Sequence, residues 1–248
     1  IASIEQEIPS LKNVYSSYFK IGTVISSKNI SSKPTQDLIL KHFNSVTLGN
    51  ELKPDYILDK EASLATGVYD NPQVNIDSAR EILNFCRDNN ISVRGHTLIW
   101  YDQTPEWFFR ENYDENQNFV SKDVMIKRME NFIKNLFTVL KEEYPTIDFY
   151  AWDVVNEAWL DNGNYRSYCE NTIEDKVNGL SCSAWTTIFK DNSFIEYAFE
   201  FARKFSPSNT KLYYCDFNEY VPLKRDAIYN MAMKLKEKNI IDGLGLHA

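Results

Sequence analysis

One carboxylate stands out for its setting. Glu157 lies near the end of Tyr150-Ala151-Trp152-Asp153-Val154-Val155-Asn156-Glu157-Ala158-Trp159, an apolar run that turns abruptly polar. Such a run reads as a buried strand whose last residues open into a mouth, with Glu157 pointing into it. Apolar rings around a carboxyl strip solvent from its charged form, so its pKa is expected to rise until it can donate a proton near neutral pH. Taken alone, the segment fits an ordinary strand-end Glu in a surface loop better.

Three more segments end in the same manner. Arg94-Gly95-His96-Thr97-Leu98-Ile99-Trp100-Tyr101-Asp102-Gln103 closes another strand on polar residues. A lone His96 is most often a satisfied core histidine. Beside Trp100 and Gln103 it would offer hydrogen bonds to hydroxyls next to a stacking plane, the combination a sugar subsite needs. Asn50-Glu51-Leu52-Lys53-Pro54-Asp55 supplies Asn50 and Lys53 as further hydroxyl partners, and Asp216-Phe217-Asn218-Glu219-Tyr220 follows a later strand.

Positioning these ends requires an alternation of strands and helices. Strand-like runs occur at Phe19 to Ile25, Ser45 to Leu48, Ser92 to Thr97, Phe149 to Val155, Lys211 to Asp216 and Ile241 to Leu246. Between them, apolar residues recur at spacings of three and four: Met129, Phe132, Ile133, Leu136, Phe137 and Leu140; then Ile195, Ala198, Phe199, Ala202 and Phe205; then Ile228, Ala232 and Leu235. This βα rhythm fits an open doubly wound sheet or most of an eight-stranded barrel. No Gly-rich phosphate loop follows the first strand, whereas Asn, Glu, His, Lys and Trp cluster past strand ends, where barrel enzymes gather their chemistry.

Composition narrows the partners. The 248 residues carry 35 acidic against 27 basic side chains, a net charge of -8, which argues against nucleic acid or an anionic membrane surface. No run approaches the length of a spanning helix, and Ile1 opens directly into polar sequence, as a chain with a cleaved leader would. Aromatic residues reach 14%, useful to a sugar binder and to a plain core alike. Only three histidines occur, at His42, His96 and His247, with no metal-binding spacing, so neither metal nor cofactor is expected. Of the four cysteines, Cys169 and Cys182 share what reads as one loop and could pair. Asn29-Ile30-Ser31 and Asn90-Ile91-Ser92 are glycosylation triplets, relevant only to a protein secreted by a eukaryote.

Five ordered landmarks together resemble the family 10 glycoside hydrolases, mostly endo-β-1,4-xylanases on a (β/α)₈ barrel. They are Phe43-Asn44-Ser45-Val46-Thr47 leading to Asn50 and Lys53; Arg94 to Trp100; Trp152 to Ala158; Asp216-Phe217-Asn218; and Ile241-Asp242-Gly243-Leu244-Gly245. The resemblance covers nearly the whole chain as one incomplete catalytic barrel. It implies endo-acting hydrolysis of xylan and xylo-oligosaccharides with retention, Glu157 as acid/base and Asn156 on the 2-hydroxyl of the sugar being cleaved. It further implies Asn50, Lys53, His96, Trp100 and Gln103 on the glycone side, Asn218 on the leaving-group side, and His247 where the family has a Gln. Gly49 stands where many members have a Glu, Tyr101 replaces a frequent His and Cys215 a frequent Asn. The stretch from Asn162 to Ser183 is longer than usual and could form a flap pinned by Cys169 and Cys182.

A retaining glycosidase uses a second carboxyl about 5–5.5 Å from the first. In the resembling family that nucleophile ends the seventh strand, and Leu246-His247-Ala248 is the sixth, so the nucleophilic Glu is expected beyond residue 248. The missing part of the barrel is then expected as a further segment of a longer or cleaved polypeptide; a shortened chain or a degenerate one is the alternative. A xylan-hydrolysing enzyme is expected to be secreted. Two other functions stay open at this point: a noncatalytic oligosaccharide binder that keeps the groove, and a retaining β-glucanase or cellulase.

Overall fold

The computed structural model describes residues 8–170 and 181–247. Six strands form one parallel sheet: β1 (Gly22–Ile25), β2 (Ser45–Leu48), β3 (Ser92–Trp100), β4 (Ala151–Asn156), β5 (Lys211–Phe217) and β6 (Gly243–His247). Each strand pairs in parallel with the one before it, so spatial order equals chain order. A doubly wound sheet reverses its order at a switch point, whereas a barrel adds each strand beside the last. The sheet therefore follows the winding of a (β/α) barrel. Its outermost strands carry exposed apolar side chains, Val24 on β1 and Leu244 and Leu246 on β6.

The main helices are α1 (Lys33–His42), α2 (Arg80–Asp88), α3 (Lys122–Glu143), α4 (Phe194–Phe205) and α5 (Pro222–Glu237). The longest, α3, starts where the Ser121 hydroxyl accepts from the Val124 N–H and stops at Tyr144, ahead of Pro145. Its Met125, Met129, Phe132, Ile133, Leu136, Phe137 and Leu140 are buried, as the spacing of three and four requires. Phe137 meets Trp152 of β4 with ring centroids 4.9 Å apart, so this helix backs the strand that presents Glu157. Among the described residues, no helix is long and apolar enough to cross a membrane.

Each expected strand is present; the second keeps its limits of Ser45 to Leu48, and the others shift at one or both ends. The first begins at Gly22 rather than Phe19, because the Ile21 N–H is taken by the Asn44 side chain and Phe19 is exposed. The third continues beyond Thr97 to Trp100, since Ile99 and Trp100 pair with Val155 and Asn156 after a register shift. That continuation carries Trp100 to the level of Asn156 and Glu157.

Candidate active site

All six residues of β4 are buried, and the chain then reverses character at Glu157. Glu157 has φ of 54°, a left-handed conformation that costs a side-chain-bearing residue about 1–2 kcal/mol. Backbone contacts on three sides hold it. Its N–H donates to the Cys215 carbonyl at 2.8 Å, its carbonyl accepts from Arg166 Nε at 2.8 Å, and the next N–H, of Ala158, donates to the Tyr214 hydroxyl at 2.9 Å. The side chain is placed as firmly, with Oε2 accepting from Trp100 Nε1 at 3.0 Å. Trp100 is itself fixed by its carbonyl, which accepts from Trp185 Nε1 and the Thr104 hydroxyl.

Glu157 lines a cleft of about 560 Å³ together with His96, Trp100, Asp153, Asn156 and His247. Asn156 is 2% exposed, and its Oδ1 finds no hydrogen-bond partner among the described residues. A buried acceptor of this kind wants a donor, which a substrate hydroxyl can supply. On the floor, Asp153 accepts from Arg94 Nε and Nη2 at 2.9 and 2.6 Å and faces His96 Nδ1 at 2.9 Å. An anionic Asp153 makes Nδ1 the protonated ring nitrogen and leaves Nε2 for the cleft. Burial pushes the Asp153 carboxyl up, but the bonds from His96 and Arg94 prevail and hold it below the usual carboxylate range. Gly95 between them is obligatory: a Cβ there would stand 2.2 Å from the Trp152 ring.

Asn50, Lys53 and Gln103 form a cluster that meets the cleft through Trp100. Lys53 Nζ donates to Asn50 Oδ1 at 2.9 Å and Gln103 Oε1 at 2.7 Å, and lies 5.0 Å from the Trp100 ring centroid. Burial lowers the Lys53 pKa, against the opposing pull of Asp102, Glu157 and Glu51. Glu51 supports the cluster from below by accepting from the Ser27 and Asn50 N–H groups at 2.7 and 3.0 Å. Gly49 lines the cleft, and a side chain there would meet only ordinary contacts, so no close approach demands the glycine.

Several expectations need correction. Burial does push the Glu157 carboxyl up, but hydrogen bonds from His247 and Trp100 and the Arg166 charge outweigh it, so Glu157 sits below its ordinary value. His247 Nδ1 is 3.5 Å from Glu157 Oε1, and the carboxylate raises the imidazole's pKa despite burial. His247 therefore lines the cleft, as expected of a substrate-side residue, and also faces the Glu157 carboxylate. Asn218, expected on the leaving-group side, is not among these corrections: its Nδ2 donates to Asp161 Oδ2 at 3.1 Å, beside a second cavity of about 480 Å³ lined by Tyr101, Asp161, Arg166 and Phe217. No disulfide joins Cys169 to Cys182. The backbone bridges Cys182 with Ser167, two residues short of Cys169, whose thiol accepts from the Thr187 hydroxyl. The centre of the proposed flap, 171–180, lies outside the described residues.

Four working residues were not singled out from the sequence: Arg94, Asp153, Arg166 and Tyr214. An Arg and an Asp at inward positions of neighbouring strands were the available signal for the first two. Nothing in the local pattern marks Arg166 or Tyr214, whose partners come from other elements.

The family model described as glycosyl hydrolase family 10 matches residues 10–248. This chain belongs to glycosyl hydrolase family 10. The bifunctional endo-1,4-beta-xylanase XylA of Ruminococcus flavefaciens is 46% identical across 96% of the family 10 chain, which spans 24% of that protein. Endo-1,4-beta-xylanase Y of Acetivibrio thermocellus is 44% identical across 96%, spanning 22%. The crystal structure of the CBM22-1–GH10 modules of Clostridium thermocellum endo-1,4-beta-D-xylanase 10B, complexed with xylohexaose, superposes with a TM-score of 0.90 and 42% identity. It covers 97% of this chain and 46% of that one. The family 10 chain thus spans less than a quarter of the length of these two relatives, and its six parallel strands are the first six of a (β/α)₈ barrel.

Proposed function

We propose that this chain is part of an endo-acting β-1,4-xylanase working with retention of configuration. Glu157 is the acid/base, Asn156 binds the 2-hydroxyl of the sugar being cleaved, and a Glu beyond residue 248 is the nucleophile. The observation that carries this reading is the Glu157 side chain held by Trp100 beside the buried, unsatisfied Asn156 carbonyl, at the end of a barrel strand. Bonds to a 2-hydroxyl strengthen as positive charge develops on the sugar, so Asn156 stabilises the transition state more than the ground state. Asp153 is the other carboxylate lining the cleft among the described residues. It is engaged by Arg94 and His96, which leaves the second carboxylate to a later strand.

Glu157 below its ordinary pKa is a carboxylate, the form required of the base that activates water in the second half-reaction. Acting first as an acid requires a proton, and a nucleophilic carboxylate about 5–5.5 Å away would raise its pKa by like-charge repulsion. Asn50, Lys53, Gln103 and Trp100 form the glycone side, His96 offers its free ring nitrogen to a hydroxyl, and the cavity at Tyr101 and Arg166 receives the leaving group. Action on insoluble xylan makes an extracellular location part of this proposal, to be checked by assaying culture fluid against cell extract.

The test is xylan hydrolysis by the full-length protein, compared with carboxymethylcellulose and with Glu157→Ala. Xylan preference and a loss of about 10²–10⁴-fold in kcat/KM in the variant are expected. Preference for carboxymethylcellulose would replace this reading with that of a β-glucanase, and tight xylo-oligosaccharide binding without turnover would replace it with that of a binding protein.

A further inference from the structure

The Glu157–Ala158 peptide group is held at both ends. Its carbonyl accepts from Arg166 Nε at 2.8 Å and its N–H donates to the Tyr214 hydroxyl at 2.9 Å. The Tyr214 hydroxyl in turn donates to Asp216 Oδ2, and Asp216 Oδ1 accepts from the Phe217 N–H at 2.9 Å and pairs with Lys224 Nζ at 2.8 Å. Tyr214, Asp216 and Lys224 are each at most 1% exposed. Lys224 also lies 3.4 Å from Asp161 Oδ1, the residue that accepts from Asn218. A line of buried polar groups therefore runs from α5 and the leaving-group side to the amide after the acid.

Buried ion pairs contribute little net stability compared with apolar packing. What this one does geometrically is specific. Rotation of the Glu157–Ala158 peptide plane swings the Glu157 Cα–Cβ bond, and hence the carboxyl, against its target. With carbonyl and N–H both anchored, the plane cannot turn, and the left-handed Glu157 keeps one direction. The phenol can be an acceptor for Ala158 only while its own proton goes elsewhere, and Asp216, fixed by Lys224, takes that proton bond. Burial and the Asp216 charge keep the Tyr214 phenol neutral throughout.

We propose that Tyr214 and Asp216 are positioning residues that aim the Glu157 carboxyl at the leaving-group oxygen through the Ala158 amide. This rests on Glu157 being the acid/base. A misaimed acid costs most when the leaving group needs its proton, and little when the leaving group departs unaided.

The experiment measures kcat/KM of the full-length protein on aryl β-xylobiosides from phenyl to dinitrophenyl, for Tyr214→Phe, Asp216→Asn and Glu157→Ala. Tyr214→Phe is expected to lose about 10-fold to 100-fold on the phenyl substrate and less than about 3-fold on the dinitrophenyl one. Asp216→Asn keeps ring and phenol and is expected to follow the same trend, which serves if Tyr214→Phe fails to fold. A uniform loss across leaving groups, or no loss, in a folded variant overturns the positioning role. Glu157→Ala is expected to show the steepest dependence; a flat response there overturns the acid/base assignment instead.

Discussion

The two sides of Glu157 are held in place differently. On the proposed glycone side, Asn50, Lys53 and Gln103 bond to one another and brace Trp100, side chain against side chain. On the proposed leaving-group side, Arg166 and Tyr214 grip the backbone around Glu157, while Asn218 is tied to the exposed Asp161. The first arrangement preforms a surface for hydroxyls, because each side chain already makes bonds that a sugar can take over. The second fixes a direction rather than a surface. Binding and aiming are therefore separable here, and substitutions can tell them apart.

Lys53→Met should have the largest effect on binding. It removes the cation that bonds two neighbours, leaving the Gln103 carbonyl oxygen without its donor and Asn50 Oδ1 with only the longer bond from Gln103 Nε2, so kcat/KM on xylo-oligosaccharides should fall about 100-fold, mainly through KM. A loss confined to kcat would erase the distinction. Arg166→Lys should act on the other side. The planar guanidinium stacks 3.3 Å from the Tyr101 ring centroid while its Nε holds the Glu157 carbonyl, and an ammonium cannot do both. A fall of about 10-fold in kcat with little change in KM is expected from steady-state kinetics.

His247→Gln tests the charge on Glu157, the proposed acid/base. His247 and Trp100 hold Glu157 below its ordinary value against the upward push of burial, so removing the imidazole should raise the Glu157 pKa. The protonated acid then survives to higher pH, and the alkaline limb of the kcat/KM profile should move upward. A downward shift would mean that His247 does not stabilise the carboxylate. Asn218→Ala should have the smallest effect, about 2-fold to 10-fold on oligosaccharides occupying the leaving-group side and none on short aryl glycosides. Equal effects on both would place Asn218 in the cleft after all.

Much of this was readable in the sequence because it was local. All six strands were visible as apolar runs ending in polar residues, and Glu157, His96 and Trp100 were marked by standing at those ends, whereas Asn156 came from the family resemblance. Strand limits moved where a side chain competed for the backbone, as Asn44 does at Ile21. What stayed hidden was set by contacts between distant elements. Burial of Glu157 was legible, whereas the His247 imidazole across the cleft, 90 residues later in the chain, was not, and together with Trp100 and Arg166 it reverses the direction of the pKa shift. The Cys169 and Cys182 pairing failed for a related reason: proximity in sequence does not set the bridge register that puts Ser167 opposite Cys182.

The left-handed backbone at Glu157 bears on how the proposed xylanase can be improved. Glycine adopts that conformation freely and asparagine with less strain than glutamate, so relief of the backbone strain at position 157 comes only with loss of the carboxyl. With Glu157 as the proposed acid/base, a library selected for thermal resistance alone can lose that carboxyl unnoticed, and any such campaign needs an activity gate at its first round.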